Sequence, residues 1–499
     1  MLEGVCMSEL LGIYPTWYVP QIGTAWVMGI IGTIHVLASN TSVGAAVLFA
    51  LLESRSVREN KPEIMQYIKK YGMFLLVFSY IWGSVTGPGI WYSTTVASPR
   101  GISALIHNFV WAWATEWVFF TVEVIGVYAL VYTIGKIDPK THLKITWTFV
   151  VSSVATLVLI IGILSFMMWP GSDRWYLTGS VFDAFYNLNF AAQLADRGFL
   201  MLTSAAVVGS IIVAAIPKGD PLRRDVGQTV ARLGLTGLIG GALSFMWYVA
   251  TLPPNALVIL KDRMPHWFGY IDFRVTTFVP LMVTSLLIGA YLLWIYLKPQ
   301  AVRVPLAAAM VVILLVAGIW PEERTRETLR KPWVVGQYMY SNQTIGRDVP
   351  GLGIKDEVPI IAKEGLLKAA AFVPADLRVI TPQNQMEAGR LLAVMSCANC
   401  HSINKDGPLR PLPKLLHGTT DVAMIQGFLA GPLAHGTVPY MPKIDLPGDE
   451  QKALATFLAA VNAGTVDAEG RLIARAPVAA PLRTAVAQAA DQQPTQAKD

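Results

Sequence analysis

Along the first 320 positions, apolar residues come in blocks long enough to cross a bilayer, separated by short polar stretches. A spanning helix needs about 20 such residues. Eight blocks qualify, near 22–52, 71–97, 104–134, 145–168, 198–216, 229–251, 275–297 and 304–320. The pattern then changes. Residues 321–380 are polar with Pro and Gly punctuation, which predicts an outside helix followed by an extended linker. Two amphipathic runs bracket 384–463, one leading into "MSCANCHS" and one reading "DEQKALATFLAAV". From about 466 the chain is Ala, Gln and Pro with few aromatics, as in disordered tails. The pattern predicts an all-α protein: a polytopic membrane bundle of about eight helices, then a small α-helical domain. The expected divisions are an outside segment 1–20, a membrane domain 21–340, a linker 341–381, a second domain 382–465 and a tail 466–499.

Composition and charge add an orientation. The chain is 54% hydrophobic and 14% charged, with 15 Trp, as suits aromatic belts at two interfaces. The net charge of +6 needs no nucleic-acid partner, because the basic residues sit mostly in loops. The first, third, fifth and seventh loops hold fourteen of them: Arg55, Arg58, Lys61, Lys69, Lys70, Lys136, Lys140, Lys144, Lys218, Arg223, Arg224, Arg232, Lys298 and Arg303. The opposite loops and helix entries hold six, namely Arg100, Arg174, Arg197, Lys261, Arg263 and Arg274. By the positive-inside rule the amino terminus is outside, and eight spans return the chain outside. No cleavable signal peptide is evident in the first 20 residues. Cys6 stands alone there and reads as a plain thiol.

Cys397-Ala398-Asn399-Cys400-His401 is a C-x-x-C-H signature. Two thiols at that spacing can add across the vinyl groups of a haem, and His401 can reach the iron as axial ligand. A zinc site would need a second ligand pair, and the third cysteine, Cys6, is almost 400 residues away. The motif predicts one covalent haem c in 382–465. In bacteria such attachment occurs outside the cytoplasmic membrane, which agrees with the loop charges. A thioether as second ligand would raise the potential, and Met441 in "HGTVPYMPKIDLPGDEQ" is the expected one. His417, His435 and Met424 are its rivals, and Met441 packing on the ring edge is the plainer alternative.

Ionisable groups inside a bilayer are expensive, so each is a candidate for function. Of seven histidines only His35 lies well inside a span. That scarcity excludes four-helix b-type cytochromes and haem-copper oxidases, which need several in-span histidines. His35 and Glu53, five full turns apart, share a face of the first helix, and Glu116 and Glu123 share a face of the third. A lone in-span His is more often a satisfied core group than a ligand, and Glu53 reads as a plain helix end. The paired glutamates suggest haem ligation, a proton path, or both.

At this point the chain resembles subunit I of cytochrome bd oxidases over about residues 20–340. His35 is similar to the family's helix-1 haem ligand, with Glu53 eighteen residues later as in the family. "GSVTGPGIWY" (83–92) resembles its G-x-x-T-G stretch, and "ATEWVFFTVE" (114–123) its paired-glutamate stretch, one residue shorter in spacing. "DFRV" (272–275) resembles the start of its seventh helix. "ETLRKPWVVG" (327–336) resembles its E-x-x-R-x-P-W-x-x-G segment, which carries the glutamate ligand of the high-spin b haem. The resemblance implies a di-haem oxygen-reducing site near the outer face, with haem b and/or haem d on His35, Glu327 and Glu116. It also implies a proton-path role for Glu123, and haem packing by Arg330 and Trp333.

The departures matter as much. The family's low-spin b haem uses a His at the fifth helix and a Met after the Phe-Arg of the seventh; here the fifth opens with "LADRGFLML", and Val275 follows Arg274. The long quinol loop shrinks to "TLPPNALVILKDRMPHWFGYID", and a cytochrome c region stands where the ninth helix would be. The expectation is a cytochrome c-linked oxidoreductase of the bacterial cytoplasmic membrane, with the amino terminus and haem c outside. A soluble cytochrome c or other outside donor would reduce the haem c, and oxygen would be the acceptor. By resemblance, a second membrane subunit related to the family's subunit II or I would complete it. Reduction of nitric oxide or another small acceptor, and a non-catalytic electron-transfer or anchor subunit, are the alternatives.

Overall fold

The computed structural model describes residues 11–260, 279–467, 469–471 and 473. The expected start of the seventh helix at "DFRV", the latter part of the shortened loop with His266, Cys6 and the tail beyond 473 lie outside the described residues.

Among the described residues, eight helices are long and apolar enough to cross a membrane. They are α1 (Thr24–Glu59), α2 (Ile64–Ala97), α3 (Val110–Thr133), α4 (Pro139–Met168), α5 (Phe190–Ala215), α6 (Pro221–Ala250), α7 (Val279–Leu297) and α8 (Val304–Leu329). The chain is a multi-pass membrane protein with the expected all-α fold. Several helices outrun their apolar blocks, because capping rather than hydropathy decides where a helix begins. Asp138 and Asp220 stand before Pro139 and Pro221, and each aspartate side chain accepts a backbone N–H of the first turn. A polar turn of α4, including His142, is thereby helical rather than loop.

α1 is the central helix, packed against α2, α4 and α5. Its middle carries small residues, Gly44, Ala45 and Ala46, that let neighbouring backbones approach. α2 and α8 each contain a π-helical stretch, Leu76–Ile81 and Leu314–Ile319. Such stretches rephase the side chains that follow, and they often mark functional positions.

Beyond α8, a small hairpin pairs β1 (Trp333–Val335) with β2 (Met339–Tyr340). The C-terminal region is built on α9 (Gln385–Ser396), α10 (Val422–Leu433) and α11 (Gly448–Asn462). α9 and α11 cross at Gly389, where a Cβ would overlap the Ala453 carbonyl. The segment expected to be an extended linker, 341–381, is folded instead. Ile361, Leu366, Leu367, Ala369, Ala370 and Val373 join one hydrophobic core with Leu392, Leu454 and Phe457. The reason is visible in its sequence, where "VPIIAKEGLLKAAAFV" carries enough apolar residues to be buried rather than solvated. Leu11 and Ile13 belong to the same core, so the amino-terminal segment is tied down there too.

The C-terminal region therefore sits on one end of the bundle. Leu409 lies over Gly23 at the start of α1, Asn404 Nδ2 donates to the Pro20 carbonyl at 3.2 Å, and Tyr440 packs with Tyr248 and Leu329. This is called the near end below, and the opposite one the far end.

Candidate functional site

At the near end a cavity of about 800 Å3, open solvent included, is lined by Cys397, Cys400, His401, Met441, Arg410, Tyr440 and a wall of leucines. Cys397 and Cys400 are both free thiols. His401 Nδ1 is 3.1 Å from the Arg410 carbonyl oxygen, which can only accept, so that nitrogen carries the proton and Nε2 keeps its lone pair. Burial, aided by the Arg410 charge, pushes the His401 imidazole down to about 4, so it is neutral at pH 7. These residues fit a covalently held haem: two thiols, a neutral imidazole with its ligating nitrogen free, and a largely apolar lining. Of the four side chains considered for the second axial position, Met441 lines the cavity, whereas His417, His435 and Met424 are exposed and lie outside it.

His35 is fixed in a similar way. Its Nδ1 is 3.0 Å from Thr86 Oγ1, and that hydroxyl donates to the Trp82 carbonyl at 3.1 Å. The hydroxyl therefore accepts from Nδ1–H, and Nε2 is again the free nitrogen. Beside the imidazole stands Gly87, where a Cβ would come 3.6 Å from His35 Cε1. A free Nε2 beside a position without a side chain fits a flat cofactor.

Glu327, in the last turn of α8, pairs with Arg330 and with Lys331 Nζ at 2.8 Å. Arg330 is buried, its Nε has no partner and its Nη1 approaches Met167 Sδ at 3.6 Å. An orphaned guanidinium nitrogen beside a carboxylate fits a ligand that brings its own acceptor. Trp333 stacks on Tyr340 at 4.1 Å. Trp26 of α1 and Trp320 of α8 are in contact at 4.8 Å. From that level a helical rise of about 1.5 Å per residue puts His35 about 13 Å deeper and Glu327 about 10 Å nearer the cavity. The two are too far apart along the bundle to ligate a single metal ion.

Glu123 is buried and accepts from Ser42 Oγ at 2.9 Å and from Tyr80 OH at 2.8 Å. Tyr80 reaches it from the π-helical stretch of α2. Seven residues nearer on α1 and α3 stand His35 and the half-buried Glu116, so those two share a depth about 10 Å above the Ser42–Glu123 contact. Towards the far end lies a pair that sequence reasoning missed. His142 Nδ1 is 2.6 Å from Glu53 Oε1, its Nε2 is 2.9 Å from the Leu130 carbonyl, and Thr146 donates to Glu53 Oε2 at 2.5 Å. The plain reading of Glu53 as a helix end is corrected: the Asp138 cap extends α4 beyond its apolar block to include His142, and both residues are buried. Breaking such a pair strands a charge. Glu53→Ala is expected to destabilise the bundle by about 3–5 kcal/mol, read as a lower unfolding temperature in detergent, with Glu53→Gln milder.

A second buried ionic group joins α5 to α8. Arg197 pairs with Glu323, and Arg326 donates to the same carboxylate at 2.8 and 3.1 Å. Arg197 belongs inside α5, not to a helix entry. The signal was the charge-dense "PEERTRE" directly after an apolar run.

The geometry on α1 to α6 can be set beside known proteins. Residues 24–252 match the family model of cytochrome bd terminal oxidase subunit I. The matched stretch holds His35, Thr86, Glu116 and Glu123; Glu327, Arg330, Trp333 and the C-x-x-C-H motif lie beyond it. The solved structure of bd oxidase from Geobacillus thermodenitrificans is similar at 16% identity and a TM-score of 0.53, covering 68% of this chain and 91% of that one. At that identity the likeness concerns the fold. Comparison with curated proteins finds no match.

Proposed function

We propose that this protein is a membrane haem oxidoreductase that takes electrons through a haem c on Cys397, Cys400, His401 and Met441. It passes them to membrane haems held by Glu327 and His35, where oxygen is reduced. The observation that carries this reading is the short bonded route between cavity and bundle. Asn399, between the two cysteines, donates to the Ser341 carbonyl at 2.8 Å; Lys331 Nζ bonds Ser341 Oγ at 3.2 Å and Glu327 at 2.8 Å.

A bound haem supplies one-electron storage and an iron position for a gas ligand. The chain's own residues supply the rest. His401 and His35 present free Nε2 atoms, their Nδ1 atoms being bonded to the Arg410 carbonyl and to Thr86. Arg330 and Lys331 pair with Glu327 and orient it. Glu116 and Glu123 hold protons for the reaction, with Ser42 and Tyr80 fixing the second carboxyl. In this reading the near end faces outside the bacterial cytoplasmic membrane, a soluble cytochrome c or similar carrier is the donor, and a second membrane subunit covers exposed apolar faces such as that of α3 around Trp111 and Val118.

The test is a reduced-minus-oxidised spectrum of the purified protein, repeated with carbon monoxide. The reading expects a haem c band together with a membrane haem that responds to carbon monoxide. A haem c band accompanied by CO-silent haems would reject oxygen reduction and favour an electron-transfer subunit.

A further inference from the structure

We propose that Lys331 is a positioning residue that couples the two haem sites, one ammonium serving both the haem c cavity and Glu327. The inference rests on the reading above. Three observations bring it to this residue. Lys331 is part of the cavity wall with Cys397, Cys400, His401 and Arg410. Its side chain is only 14% exposed, so its charge is weakly screened by solvent. Its Nζ bonds Glu327 Oε1 and Ser341 Oγ, while Ser341 also receives Asn399 from between the cysteines. The lysine thus touches the cavity on one side and the carboxylate of the bundle on the other.

The chemistry of that placement has a definite sign. Reduction of the haem adds an electron, so a cation in the wall stabilises the reduced form and raises the potential. The same cation pairs with the Glu327 carboxylate in the last turn of α8. A haem held by Cys397 and Cys400 would accept one electron from an outside one-electron donor and give one up to a haem held by Glu327, so the electron count would balance. Lys331 keeps its proton throughout and exchanges nothing.

The experiment is a spectroelectrochemical titration of the full-length haem-loaded protein, with Lys331→Gln and Lys331→Arg compared to wild type. Lys331→Gln is expected to shift the haem c reduction equilibrium about tenfold towards ferric, about 59 mV lower for a one-electron couple. Lys331→Arg, which keeps the charge, restores most of it. Rapid mixing with a reduced donor is the second readout: in Lys331→Gln the membrane haem follows haem c about tenfold more slowly. A haem c potential equal to wild type in Lys331→Gln overturns the proposal, and so does a shift that arginine fails to restore. Were the bundle to hold no haem, the potential shift would persist and the second readout alone would vanish. Failure of the functional reading is thereby separated from failure of the lysine's role.

Discussion

The double variant Cys397→Ala, Cys400→Ala is expected to lose all covalently bound haem, so that haem staining after denaturing electrophoresis disappears entirely. Among the described residues, Cys397 and Cys400 are the only thiols that can form the thioether bonds. The membrane haem spectrum should survive when dithionite is the reductant, because His35 and Glu327 belong to the bundle. Reduction by an outside protein donor should fall to background. The C-terminal region should also become less stable, since Leu412, Leu429, Leu454 and Leu458 line the cavity that the proposed haem would fill. Retention of the covalent haem stain, or donor-driven reduction at the wild-type rate, would contradict the electron-entry assignment.

His35→Ala is expected to remove one membrane haem and its carbon monoxide response while leaving the covalent haem in place. In the proposed function the imidazole ligates the iron and Thr86 bonds its Nδ1, so removal deletes the bond rather than weakening it. Thr86→Val tests the support separately. Loss of a partner that orients a ligand typically costs about 10–100-fold in affinity, so this variant should bind the haem more weakly with an altered spectrum. Pyridine haemochrome analysis of non-covalent haem per covalent haem measures both. Wild-type haem content and carbon monoxide spectrum in His35→Ala would overturn the ligand assignment.

The residues of this site were unevenly legible. C-x-x-C-H, the in-span His35 and the paired glutamates were readable because each depends on residue type at a fixed spacing. Glu53 with His142 was not, because the two lie 89 positions apart and come together only where Asp138 extends α4 beyond its apolar run. Arg197 with Glu323, 126 positions apart, is hidden for the same reason. The folded 341–381 segment was misread as a linker since its apolar residues lack a long period, and they find their partners in α9 and α11 rather than in each other.

By itself the sequence determined the class of the molecule. Eight apolar blocks demand a bundle of spanning helices, since backbone groups inside a bilayer must be satisfied within each segment. The C-x-x-C-H spacing set out the haem-attachment chemistry through covalent reach. Tertiary structure alone decided which of the distant candidates meet. Met441 rather than His417, His435 or Met424 lines the cavity, Thr86 selects the free nitrogen of His35, and Lys331 bridges Ser341 to Glu327. Those outcomes depend on hydrogen bonds of about 3 Å between separate helices and loops, a length scale set by packing and carried by no local pattern.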